Sequence, residues 1–74
     1  MDSTILRFLQ YSLEREKPIR LMWQQDAAIR QANVQVTSVA GDTVTFLTLR
    51  PKGQVTCDAG MILSADYKKG DDGQ

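Results

Sequence analysis

A chain of 74 residues with nine basic and nine acidic side chains carries no net charge, and it has one cysteine and no histidine. Such a length makes one domain that buries roughly 60% of its unfolded surface, with neither an internal disulfide nor a histidine-bearing zinc site to brace it. Neutral charge argues against a dedicated nucleic-acid binder, no apolar run approaches membrane-spanning length, and a lone thiol without an export signal points to the cytoplasm.

Asp2-Ser3 offers an N-cap, and Ser3 to about Glu16 is predicted as an amphipathic helix. At 100° per residue, Ile5, Leu6, Phe8, Leu9 and Leu13 fall in one arc, with Arg7, Gln10 and Glu14 opposite. Arg15 and Lys17 sit where cations complement the helix dipole. Pro18 ends the helix, because the residue before a proline is pushed away from helical angles. The expected role of this helix is a lid docked through Ile5, Leu9 and Leu13. A membrane-surface role fits less well, since the polar face mixes signs and lacks a lysine-rich stripe.

Ile19 to Gln24 reads as the first strand, with Ile19, Leu21 and Trp23 on one face. Gln25-Asp26-Ala27-Ala28 is a hairpin-length connection. Ile29 to Thr37 and Thr43 to Leu49 are the second and third strands, folded back at Ala40-Gly41-Asp42. Val34 and Val36 alternate with polar residues, as do Val44 and Phe46, which is the period-2 mark of a strand with one buried face. Arg50-Pro51-Lys52-Gly53 is a turn, Gln54 to Cys57 a short fourth strand, Asp58-Ala59-Gly60 a break, and Met61 to Ala65 the last strand. Residues 1–67 thus make one small domain. Lys68 to Gln74, without an apolar side chain, is expected to be a disordered and dispensable polar tail.

A helix followed by five short strands predicts a mainly β, small α+β fold: an SH3-like barrel of the Sm type, which limits exposed sheet edges. Leu47 and Leu49 lie on the opposite face from Phe46, so one face of the third strand is expected to fill the barrel and the other to receive the Ile5-Leu9-Leu13 stripe. Pro18-Ile19-Arg20-Leu21-Met22-Trp23, the stretch Arg30 to Val36, Gly41-Asp42-Thr43-Val44-Thr45-Phe46-Leu47, and Val55-Thr56-Cys57-Asp58 with Ile62 resemble WYL-domain barrels. The resemblance covers about residues 17–66 and rests on element order and hydrophobic spacing. It implies an Sm-like module of the kind found in bacterial transcriptional regulators, binding a nucleotide or nucleic-acid ligand. The family's Trp-Tyr-Leu triplet falls on Val44-Thr45-Phe46, and its basic positions near the fourth strand fall near Thr56 and Ala59.

Register supplies the candidate site. The buried face must be shared across strands, since a one-residue slip turns every valine outward. Pairing Leu21 with Ala32 sets Trp23 opposite Arg30, and pairing Val36 with Phe46 sets Arg30 opposite Lys52 and Ala32 opposite Arg50. Trp23, Arg30, Arg50 and Lys52 are therefore expected to gather at one end of the barrel, on the core side. An aromatic ring beside several cations suits a nucleobase with its phosphate. A plainer account has Trp23 capping the core with the basic stems lying over it.

No enzyme is expected: histidine, the usual base near neutral pH, is missing, and Asp26, Asp42, Asp58 and Asp66 read as turn formers or caps. Cys57 reads as a small buried hydrophobe, and no cofactor or metal is implied. Two function classes follow. One is a regulatory module that binds a nucleotide or single-stranded nucleic acid weakly at the cationic end. The other is a protein-interaction module that associates with itself or a partner through its sheet edges.

Overall fold

The computed structural model of the chain describes residues 2–71. One helix, α1 (Ser3–Arg15), precedes five strands: β1 (Ile19–Gln25), β2 (Ala28–Ala40), β3 (Thr43–Leu49), β4 (Lys52–Asp58) and β5 (Ile62–Tyr67). A single 3-10 turn, Ala59–Met61, joins the last two. All strands belong to one antiparallel sheet in the order β4-β3-β2-β1-β5, so the fold is mostly β, in the small α+β class.

The helix begins where its sequence lets it begin. Asp2 is the N-cap, accepting a hydrogen bond from the Thr4 amide at 2.7 Å, which satisfies one of the free donors of the first turn. It ends at Glu16, held in the left-handed region (φ 54°) two residues ahead of Pro18. The β1–β2 hairpin turns on Asp26 and Ala27, both with positive φ (51° and 64°). This is the backbone that lets a two-residue turn follow the twist of its strands. The β2–β3 turn uses Gly41, at φ 61°, for the same purpose.

The sheet curls without closing. β4 and β5 lie at opposite edges, about 19 Å apart were the sheet flat. The four steps from Asp58 to Ile62 reach at most about 14 Å even when extended, so the short 3-10 connection requires the edges to approach. Two bulges help the curl. One leaves Thr37 unpaired between Val36↔Phe46 and Ser38↔Thr45, and the other falls between the Met22↔Ser64 and Trp23↔Ile62 pairs. No β4–β5 pairing is present among the described residues, so the expected barrel is an open, curled sheet rather than a closed cylinder.

The concave face holds the core. Ile19, Leu21 and Trp23 of β1, Val34 and Val36 of β2, and Val44 and Phe46 of β3 are buried, with Ala59 and Ile62 beneath them. α1 lies on this same side, against β2, β5 and β1, and buries Phe8, Leu9 and Ser12; Ile5 and Leu13 are half-buried against the cluster. The expectation that the helix covers the outer face at Leu47 and Leu49 is corrected, because both leucines stay exposed. The cause is a polar seat within the apolar arc. The Ser12 hydroxyl, wholly buried, accepts from the Val36 amide at 2.9 Å and donates to the Lys17 carbonyl at 2.6 Å. Val36 borders the bulge, and Ser12 Oγ accepts the hydrogen bond of its amide.

Beyond β5 the chain, expected to be disordered from Lys68, is placed as far as Asp71. The Asp71 amide donates to the Lys68 carbonyl at 2.9 Å, and the Tyr11 hydroxyl donates to Asp71 Oδ2 at 2.7 Å. Residues 72–74 of the expected tail lie outside the described residues.

Candidate cationic site

The end of the sheet beyond Trp23 is built by two turns. In the β1–β2 ladder Trp23 pairs with Arg30 and Leu21 with Ala32, the pairing expected from hydrophobic parity. In the β2–β3 ladder Val36 pairs with Phe46, but pairing stops at Val34↔Thr48. From Ala28 to Asn33, β2 therefore has β1 on one side and, among the described residues, no strand on the other. β3 stops because the chain turns at once on Arg50-Pro51, whose peptide is cis, and β4 starts at Lys52 opposite Leu49. The Thr48 hydroxyl donates its one proton to the Pro51 carbonyl at 2.7 Å, with the Gly53 carbonyl sharing it at 3.3 Å, which holds this turn in place.

The gap left between β2 and the turn is a hollow of about 270 Å³ lined by Trp23, Gln25, Arg30, Thr48, Arg50 and Val55 among others. Trp23, Arg30 and Arg50 thus come together as expected from register. Lys52 does not join them. A two-residue turn in place of the expected four-residue one moves Lys52 across from Leu49, where it borders a separate, apolar depression with Leu47 and Leu49.

Trp23 is part of the core more than of the site. Only 2% of it is exposed, and its ring meets Phe46 edge-to-face with centroids 4.9 Å apart. Its indole Nε1 donates to Gln25 Oε1 at 3.0 Å, so the polar edge is already satisfied and the ring face is not open for stacking. The recognition chemistry of the hollow therefore belongs to the two guanidiniums and the amides of Gln25 and Gln31. Neither arginine has an ion pair with a described residue, and among the described residues no carboxylate lines the hollow. By contrast Arg20, on the outer face, pairs with Asp66 at 3.7 Å in the open, a contact worth little.

A larger hollow, about 600 Å³, adjoins the first and shares Gln31, Ala32 and Arg50 with it; Asn33, Leu49 and Lys68 complete its lining. Gln25, Gln31 and Lys68 had no signal in the sequence pattern, because isolated polar residues on strands and tails look like solvated surface. Cys57 is half-buried, and burial, followed by the neighbouring Asp58 carboxylate, pushes its thiol up and away from nucleophilic use. Among the described residues, no three His, Cys, Asp or Glu side chains gather in a metal-holding group, and no helix is long and apolar enough to cross a membrane. Comparison with protein-family models, curated proteins and solved structures found no match to this chain.

Proposed function

We propose that the domain is a non-catalytic binding module for a phosphate-bearing ligand of the nucleotide class, held weakly at the Arg30–Arg50 hollow. The observation that carries this reading is the pair of arginines, neither of them ion-paired with a described residue, that line one hollow with no described carboxylate in its wall. A planar guanidinium recognises phosphate with two parallel hydrogen bonds and can stack on a base. The side-chain amides beside it can read base edges. In this reading the domain works in the cytoplasm as a regulatory unit, in keeping with the resemblance of its sequence to WYL-domain barrels. Affinity is low, because few cations are engaged and zero net charge gives no long-range steering.

The only tryptophan in the chain borders the hollow, so its fluorescence reports occupancy directly. Titration with adenosine monophosphate and with a short single-stranded RNA at low salt should give a saturable change. That change should weaken at moderate salt and vanish in folded Arg30→Ala and Arg50→Ala variants. Binding that survives both substitutions would place the site elsewhere.

A second reading is favoured by one observation, the two open edges of the sheet. β4 and β5 each present a row of backbone donors and acceptors to solvent, and such edges are templates for another strand. In that reading the domain associates with itself or with a partner protein. Sedimentation that gives a monomer mass at every concentration up to the millimolar range speaks against self-association.

A further inference from the structure

The C-terminal turn offers the site a cation that strand register alone does not bring to it. Lys68 follows β5, yet it lines the same hollow as Arg50, Gln31 and Asn33. Its place is not left to a loose end. The Lys68–Asp71 turn is closed by its own backbone hydrogen bond, and Asp71 is held to α1 by the Tyr11 hydroxyl at 2.7 Å. Tyr11 in turn is gripped through its ring, which meets Tyr67 edge-to-face at 5.3 Å between centroids, while Tyr67 meets Phe8 at 4.8 Å. Helix, last strand and turn are thus one packed unit that carries Lys68. Lys68 also borders a second hollow with Lys17, Lys69 and Asp71, but of these lysines it is the one that lines the Arg50 hollow as well.

We propose that Lys68 is a third ligand-binding cation, that it receives phosphate together with Arg50, and that the Tyr11–Asp71 hydrogen bond is the positioning device that holds it there. This inference rests on the nucleotide-binding reading above. It deepens that reading by dividing the two adjoining hollows into a phosphate end, at Arg50 and Lys68, and a base end, at Gln25, Arg30 and Gln31. Arg50 belongs to the wall that the two hollows share, with Gln31 and Ala32. A nucleoside diphosphate fits this division better than a monophosphate, because its second phosphate brings further charge to the two cations at the larger hollow. A lysine works here as a point charge and does not need a fixed fork, so its position along the wall matters more than its orientation.

The test is a titration of the full chain with adenosine diphosphate, read by Trp23 fluorescence across a range of salt. Lys68→Ala should weaken binding about tenfold, the loss of one charge-assisted contact, and lower the slope of log affinity against log salt by about one. Lys68→Arg should restore both. Lys69→Ala should change neither, which separates a placed charge from general basicity. Tyr11→Phe keeps the ring packing and removes the hydroxyl. It should weaken binding severalfold in the presence of Lys68, and have no further effect in the Lys68→Ala background, because it acts through that lysine. Binding lost in Arg50→Ala but unmoved in Lys68→Ala overturns this inference alone. Absence of binding to the unaltered chain at low salt overturns it together with the reading on which it rests.

Discussion

Replacing Ser12 by alanine removes a single oxygen from a site that no water reaches. Two hydrogen bonds go with it, one from the Val36 amide and one to the Lys17 carbonyl. The Val36 N–H is left buried without an acceptor, at a cost of about 1–3 kcal/mol. The Lys17 carbonyl belongs to a half-buried residue and can turn to water, so it adds less. Alanine is the better helix former by about 0.5 kcal/mol, which offsets part of the loss. The net expectation is a destabilisation of about 1–2.5 kcal/mol, in a domain whose total is on the order of 5 kcal/mol.

That loss is large enough to read by two independent routes. Urea unfolding followed by circular dichroism should show a lower midpoint with an unchanged slope, and the thermal midpoint should fall by roughly 5–15 °C. Hydrogen exchange at the Val36 amide should accelerate more than at its core neighbours, because that proton has lost its own partner. The exposed Gln10→Ala change isolates the helix-propensity effect and should stay within about 0.5 kcal/mol. A Ser12→Ala protein as stable as the unaltered one, with Val36 still protected, would refute the idea that this hydroxyl seats the helix on the bulge.

Leu9 is wholly buried at the centre of the helix contact, and Leu9→Ala should cost about 2–5 kcal/mol in the same unfolding assay, enough to unfold much of the population. Ala27, at φ 64°, is a residue with a Cβ in a backbone region that favours glycine, so Ala27→Gly should leave stability unchanged or raise it by about 0.5–1 kcal/mol, read from the urea midpoint. The Tyr11 hydroxyl is pushed up from 10.0 to about 12, chiefly by its hydrogen bond to Asp71, then by desolvation and by the Asp71 charge. The folded chain therefore keeps this proton where the unfolded chain releases it. The contribution is full below pH 10 and is lost as pH rises toward 12, so a denaturation series over that window should slope downward, and less steeply in Tyr11→Phe.

The parts legible in the sequence are those fixed by short-range periodicity. The helix, expected from Ser3 to about Glu16, runs Ser3–Arg15, and β3 spans Thr43–Leu49 as read. The Trp23–Arg30 and Val36–Phe46 pairings follow from keeping the valines on one side. The misreadings come from features one residue wide. A bulge at Thr37 lets β2 run on to Ala40, where strict alternation predicts an end at Thr37. The broken rhythm of Val36-Thr37-Ser38-Val39 is its trace. A two-residue turn at Arg50-Pro51 in place of four residues puts Lys52 on the wrong wall. Ser12 stands within the apolar arc of the helix, and a small hydroxyl there marks where a backbone amide needs an acceptor. For the Tyr11–Asp71 contact no pattern exists, since one hydrogen bond across 60 positions leaves no local mark.

β2 connects stability and site, because it changes partners partway along. Its first half, Ala28 to Asn33, pairs with β1, Val34 pairs with both β1 and β3, and the rest pairs with β3. Immediately past this handover, at Val36, the helix fastens to the strand through Ser12. Before it, β2 has an unpaired flank, and that flank is the wall of the hollow. The early turn at Arg50-Pro51 is what leaves the flank bare. Were the β2–β3 ladder to run two residues further, Arg50 would pair opposite Ala32, and strand pairing would fill the space that the hollow now occupies. The same turn that denies β2 its partner also sets a guanidinium at the mouth of the gap. The opening and its charge therefore have one structural cause, and lengthening the turn should remove both together.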